Sequence, residues 1–180
     1  MRIGQGYDAH KLIPGKGMML GGIFIDSEFS IEAHSDGDVI IHALIDSLLG
    51  AAALGDIGTH FPSDDVKYEN ISSSKLLAEV IDLLNSLNYE IVNIDVTLVA
   101  EKPKIIDHIK AIKKHLCLLL NVKITDINIK ATTTDGLGFE GSKAGISCHS
   151  VSLIRKVESK SNKLKKILLQ LMARLLIVFI

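Results

Sequence analysis

The sequence predicts an α+β fold, a mixed β-sheet packed against helices on one face. Helical and strand-like hydropathy periods alternate along the chain, and the outer links read as hairpins while the middle links cross over through helices. Size is a further constraint: 180 residues with 47% hydrophobic content suit one domain of about 150 residues plus a short appendage.

Residues 3–7 and 18–25 read as strands around a turn set by Pro14, Gly15 and Gly17, so a glycine-rich hairpin opens the fold, with Gly21-Gly22 marking a bulge. From Asp36 the period changes. Val39, Ile40, Ala43, Leu44, Ser47 and Leu48 recur at three and four, with Ser35, Asp36 and Asp38 placed to cap, and this helix ends near residues 50–55. Residues 56–65 form an ordered loop, and Ser72, Ser73 and Ser74 cap a helix running to about residue 88 with Leu76, Leu77, Val80, Ile81 and Leu84 as its buried stripe. Residues 89–99, 127–132 and 146–154 are strands, and 105–120 is helical.

Composition removes several classes of function. Twenty basic against 21 acidic residues leave no electrostatic footprint for nucleic acid, while a small charged substrate stays compatible. Cys117 and Cys148 have neither disulfide nor zinc-finger spacing, and the N-terminus lacks the apolar run of a signal peptide, so a reducing, cytoplasmic location is expected. Residues 167–180 are nearly all apolar, but Gln170 and Arg174 interrupt them and they fall short of the roughly 20 residues a spanning helix needs.

Chemistry concentrates at few places. Asp8 and His10 are two apart, so on an extended strand both face one side, a metal-ligand spacing that also arises by chance in loops. His42 is the candidate third ligand, with Asp38 and Asp46 one turn before and after it to orient the ring; the competing reading is a satisfied core histidine. Two nitrogens and one oxygen suit a zinc ion with an open position. His34 precedes a helix N-terminus, where an anion is favoured; the competing reading is that Ser35 and Asp36 merely cap the helix and His34 is a solvated loop residue. The run from Lys130 through Thr132, Thr133, Thr134 and Asp135 to Phe139 offers hydroxyls, a carboxylate and glycines to phosphates and magnesium, or else is a strand end turning. Ala100-Glu101-Lys102-Pro103-Lys104 frames a pocket for a flat base, or simply joins strand to helix.

Together, Gly6-Tyr7-Asp8-Ala9-His10, residues 34–38, residues 42–61 with their Leu48-Leu49-Gly50-Ala51-Ala52-Ala53-Leu54-Gly55-Asp56-Ile57-Gly58 core, and residues 130–141 resemble the 2-C-methyl-D-erythritol 2,4-cyclodiphosphate synthase family over residues 1 to about 157. The resemblance implies a lyase of non-mevalonate isoprenoid synthesis that cyclises 4-diphosphocytidyl-2-C-methyl-D-erythritol 2-phosphate and releases CMP. It implies that Asp8, His10 and His42 hold zinc at the substrate's diphosphate and that His34 and Thr133 stabilise the transition state. By the same resemblance Asp56, Ile57 and Gly58 meet the ribose, and Ala100, Lys104, Ile105 and Ile106 the cytosine. Thr132, Thr133, Thr134 and Asp135 meet the nucleotide phosphates, and Ser35, Phe61, Asp65 and Phe139 the methylerythritol. It also implies a homotrimer with active sites between subunits.

Two positions depart from the family. Asp135 stands where a glutamate usually binds magnesium or manganese, and Ser142, beside Lys143, stands where many members carry a phosphate-binding arginine. These departures make a catalytically silent module binding cytidine nucleotide or isoprenoid diphosphate the alternative. A domain at residues 1–157 is followed by a basic and apolar tail at 158–180, helical or disordered, for which self-association is favoured over contact with a membrane surface.

Overall fold

The computed structural model describes residues 1–158. The main sheet contains β1 (Arg2–Pro14), β4 (Phe29–Glu32), β5 (Tyr89–Val99), β6 (Ile127–Thr132) and β7 (Gly145–Lys156), ordered β4-β1-β7-β5-β6. Only β5 and β6 run parallel; the other neighbours are antiparallel, so the sheet is mixed. A separate ribbon joins β2 (Met18–Leu20) to β3 (Ile23–Ile25). The helices are α1 (Val39–Ala52), α2 (Ile57–His60), α3 (Ser73–Ser86), α4 (Ile109–Leu120) and α5 (Gly138–Gly141), with a 3-10 turn at Val66–Tyr68.

Strand β1 positions the rest. Its inward residues are Gly4, Gly6, Asp8, His10 and Leu12, and the glycines let α1 lie directly on it. A Cβ on Gly4 would fall 2.0 Å from the Ser47 carbonyl oxygen, and one on Gly6 2.0 Å from that of Ala43. Across the same contact the Ser47 hydroxyl meets Ser152 Oγ at 2.6 Å and Ser150 Oγ at 3.1 Å, so the buried hydroxyls of α1 and β7 satisfy one another. Helix α1 is buried on nearly every side, with Ile40, Ile41, Leu44, Ile45, Leu48 and Leu49 in the core, because α3 covers the side turned away from the sheet. The expected stripe of α3 is also in place, with Leu76, Leu77, Val80 and Leu84 buried and Ile81 half-buried.

Among the described residues, helices cover one face of the sheet, as expected, and leave the other open. On the open face Ile3, Gln5 and Tyr7 of β1 sit across from Leu153, Val151 and His149 of β7, and the Tyr7 and His149 rings meet at a tilt with centroids 4.8 Å apart. Polar residues continue the rows: Val151 opposes Asp95, which opposes Asn128, and Lys130 pairs with Asp95.

Several expectations are corrected. Residues 18–25 are two short strands, and Gly21 and Gly22, both at positive φ, make the turn between them rather than a bulge. The opening hairpin does not form: β1 pairs with β4, unforeseen as a strand, and with β7. The last link is no hairpin either, since β7 inserts between β1 and β5. The loop at 56–65 contains α2, and α4 begins at Ile109. The expectations for the tail concern residues 159–180, which lie outside the described residues.

Candidate metal centre and pocket

Two elements deliver three donor atoms to one point. Alternation along β1 turns Asp8 and His10 to the helix side, as their spacing predicted, and α1 sets His42 one turn beyond its N-cap, facing them. Asp8 Oδ2 lies 3.0 Å from His10 Nε2 and 3.1 Å from His42 Nδ1, and the two ring nitrogens are 3.2 Å apart. Ligands at about 2.1 Å from a tetrahedral ion stand about 3.4 Å apart, so this triangle is close to that of a zinc-type site. Three atoms that each offer a lone pair, two imidazole nitrogens and a carboxylate oxygen, converge on one point, a donor set that fits a cation.

Electrostatics agree. Burial opposes ionisation of Asp8, but hydrogen bonds and charge from His10 and His42 outweigh it and hold the carboxyl far below its ordinary value. For His42, burial disfavours the charged ring, but the hydrogen bond and charge of Asp8, with the charges of Asp38 and Asp36, raise its pKa. Without a cation the cluster thus retains protons; a cation displaces them.

Asp38 and Asp46 do not orient His42, contrary to expectation. Asp38 is fully buried and accepts backbone N–H groups from Gly21 at 2.8 Å, Gly22 at 2.6 Å and Ile41 at 3.2 Å, so it caps α1 and fastens the β2–β3 turn to it. Its pKa is nevertheless raised, because desolvation exceeds the effect of those bonds. Asp46 accepts the Ile57 N–H at 2.7 Å and so anchors α2. The second nitrogen of His42 instead meets Ser73 Oγ at 2.8 Å and Ser35 Oγ at 3.3 Å. Ser73 is the residue sequence reasoning missed. Its only local signal was a triple serine that read as a cap, and Ser72, the actual N-cap, makes no side-chain bond.

The donors open onto a pocket of about 230 Å³ lined by His10, His42, His34, Ser35, Ile57, Gly58 and Phe61 together with Tyr68 and other residues. Asp56 lies just outside, capping α2 by accepting the Thr59 N–H at 2.8 Å. Asp65 lines a neighbouring recess with His34 and accepts the Lys67 N–H at 2.9 Å. A second pocket of about 160 Å³ gathers Ala100, Lys104, Ile105, Ile106, Thr132 and Thr133, and shares no lining residue with the first. Thr134, Asp135, Phe139 and Ser142 line neither. Thr134 Oγ1 donates to the Leu137 carbonyl at 2.5 Å, Asp135 sits at φ 53° with its carboxylate 3.4 Å from Thr133 Oγ1, and Ser142 Oγ donates to the Phe139 carbonyl at 3.2 Å. A larger cleft of about 750 Å³, lined in part by Ile81, Tyr89, Lys123 and Val157, contains none of the predicted site residues.

Comparison with known proteins covers nearly all of the described residues. The YgbB family matches residues 1–155. A 2-C-methyl-D-erythritol 2,4-cyclodiphosphate synthase of Clostridium botulinum (strain Okra / Type B1) is 51% identical over 154 residues, covering 86% of this chain and 99% of that protein. One from Clostridium perfringens is 52% identical over 156 residues, covering 87% of this chain and all of the other. Among solved structures, IspF of Plasmodium falciparum in complex with CDP superposes with a TM-score of 0.77 at 37% identity, over 87% of this chain and 97% of that one. The bifunctional IspDF of Campylobacter jejuni gives 0.84 at 37% identity, and there the match spans 42% of the longer chain.

Proposed function

The chain belongs to the YgbB family and is a lyase that performs the cyclodiphosphate-forming step of isoprenoid biosynthesis; on that premise we propose that its substrate is 4-diphosphocytidyl-2-C-methyl-D-erythritol 2-phosphate and that CMP is the leaving group. In this reaction an oxygen of the substrate's 2-phosphate attacks the β-phosphorus. A new P–O bond closes the ring, the bond between the β-phosphorus and the bridging oxygen breaks, and CMP departs with that oxygen and its electron pair. No group on the protein becomes covalently attached, so catalysis consists of holding reacting oxygens in line and matching the charge that develops.

The observation that carries this reading is the convergence of Asp8, His10 and His42, the two histidines lining the 230 Å³ pocket. These residues hold a divalent metal, zinc by the chemistry of two imidazoles and one carboxylate, which supplies Lewis-acid polarisation of a phosphate oxygen. His34 and Ser35 line the same pocket and donate to the substrate; Ile57, Gly58 and Phe61 give it walls, with Asp56 at the ribose and Asp65 at the methylerythritol side. Ala100, Lys104, Ile105 and Ile106 receive the cytosine, and Thr132 and Thr133 adjoin the nucleotide phosphates. The CDP in the Plasmodium complex supports a cytidine site in this chain. Thr134 and Asp135 complete the phosphate end, where Asp135 would hold magnesium or manganese with a shorter reach than glutamate, and Phe139 and Ser142 meet the substrate, Phe139 on its methylerythritol side.

Assembly belongs to the proposal. The metal pocket and the Thr133 pocket share no lining residue, and among the described residues one sheet face is left uncovered. Three copies meeting on that face in a homotrimer would bring one subunit's metal pocket against its neighbour's nucleotide pocket. The unit is the domain at residues 1–157, working in the cytoplasm. The silent-module alternative is not favoured, since relatives at 51% identity are named for the synthase.

The test is His42→Ala: the folded variant should lose bound zinc and CMP release together. Normal CMP release from a zinc-free variant would remove the metal from the mechanism.

A further inference from the structure

Behind the metal cluster lies a chain of hydrogen bonds. The Ser73 hydroxyl donates to Asp36 Oδ1 in a short contact, and the Ser73 backbone N–H donates to Asp36 Oδ2 at 2.9 Å. Ser73 Oγ is also 2.8 Å from His42 Nε2, and Ser73 is fully buried. A hydroxyl has one proton. With that proton directed to Asp36, Ser73 Oγ faces His42 as an acceptor, and Nε2 must bear the hydrogen.

We propose that Asp36 and Ser73 are a positioning pair that fixes the proton of His42 on Nε2 and so presents Nδ1 as a bare lone pair toward Asp8 and His10. Outer partners of this kind set the tautomer and ring orientation of a ligating histidine. Two features make the pair specific. The loop carrying Asp36 is tied to the start of α3 at several points, with the Asp36 N–H donating to the Ile71 carbonyl at 3.3 Å and the Asn70 N–H to that of His34 at 2.9 Å, so the relay sits in a braced corner. Ser35, the other hydroxyl near Nε2, is farther away at 3.3 Å and already accepts the Gly37 N–H at 3.2 Å. Opposing the pair is Asp8, whose carboxylate 3.1 Å from Nδ1 favours a hydrogen there when no metal is bound.

The carboxylate of Asp36 is essential to this logic. Oδ2 accepts the Ser73 N–H at 2.9 Å, while Oδ1 accepts the Ser73 hydroxyl and, at a longer 3.3 Å, the Asp38 N–H, so the amide NH₂ of Asp36→Asn takes the Oδ1 place, giving up the weaker backbone bond and turning toward Ser73 Oγ. The hydroxyl then donates to Nε2, and the ring proton moves to Nδ1. Ser73→Ala only removes the acceptor.

The proposal rests on the metal reading for its affinity readout but not for its spectroscopic one. Nitrogen-15 NMR of the histidine rings in the metal-free full chain, titrated upward until the His42 ring carries a single proton, should find that proton on Nε2. Asp36→Asn should shift the proton to Nδ1, and Ser73→Ala should give a mixture or the Nδ1 form. By chelator competition, zinc affinity should fall roughly 10–100-fold in both variants. Finding Nδ1 protonated in the unsubstituted protein, or an unchanged tautomer in a folded Asp36→Asn protein, would overturn the proposal. If the unsubstituted protein bound no zinc yet showed the Nε2 tautomer switching in Asp36→Asn, the relay would stand and the metal reading would fall.

Discussion

Replacing Gly6 by alanine tests how the close approach of β1 and α1 builds the site. The added Cβ would lie 2.0 Å from the Ala43 carbonyl oxygen and 2.7 Å from the Ser47 nitrogen. Both are backbone atoms, so no side chain can swing aside, and strand and helix must part by about 1 Å or more to reach ordinary contact. Overpacking of this kind costs about 1–3 kcal/mol, and backbone against backbone belongs at the upper end. At roughly 2–4 °C per kcal/mol for a domain of this size, Tm should fall by about 6–12 °C. The same displacement separates Asp8 and His10, just along the strand, from His42, adjacent to Ala43, so zinc affinity should drop about tenfold or more. Circular dichroism melting at fixed protein concentration, with chelator and with zinc, measures both effects. Gly50→Ala is the control: its Cβ meets only the Gln5 carbonyl oxygen at 3.9 Å, and replacing a helical glycine should raise Tm slightly. A Gly6→Ala protein melting within about 2 °C of the unsubstituted one, with equal zinc affinity, would refute the argument.

Three further outcomes are expected. Asp38→Asn should destabilise by about 2–4 kcal/mol in urea titration, because an amide cannot accept three backbone N–H groups and must leave at least one buried donor unpaired. In the metal-free protein the depressed pKa of Asp8 adds stability that is present above its unfolded value of 3.8 and lost as pH falls through the lower folded value. The raised pKa of His42 adds stability present below 6.5 and lost as pH rises through the higher folded value. The denaturation midpoint in chelator should therefore decline from pH 6 to 9, and Asp8→Asn should flatten that decline; a decline of equal size in Asp8→Asn would contradict the assignment. Val151→Asp places a charge at the middle of the open sheet face beside Asp95, so light scattering should give a mass of about three times 19.6 kDa for the natural chain and a smaller species for the variant.

Much of the fold was legible where side chains alone set the period. Strands β5 and β6 were read at their observed bounds, and α1 and α3 within a few residues, because apolar spacing marks their buried faces. Strand β1 was read at under half its length for the converse reason. Of its five inward positions only Leu12 is apolar; the others are two glycines and two metal-site residues, chosen for close approach and chemistry rather than hydropathy. The buried face of β7 likewise includes Ser150 and Ser152, which look exposed until Ser47 is placed against them. The metal triad was legible from spacing plus resemblance. The tasks of Asp38 and Ser73 were not: each depends on partners far away in the chain, the Gly21-Gly22 turn for one and His42 for the other. Strand order suffered equally, since nothing local says that β7 slides between β1 and β5.

The most direct measurement is phosphorus NMR of 4-diphosphocytidyl-2-C-methyl-D-erythritol 2-phosphate mixed with the purified full chain, zinc and magnesium. The account predicts that the substrate's resonances give way to those of a cyclic diphosphate and CMP in equal amounts. An intact substrate in the presence of zinc-loaded protein would contradict it.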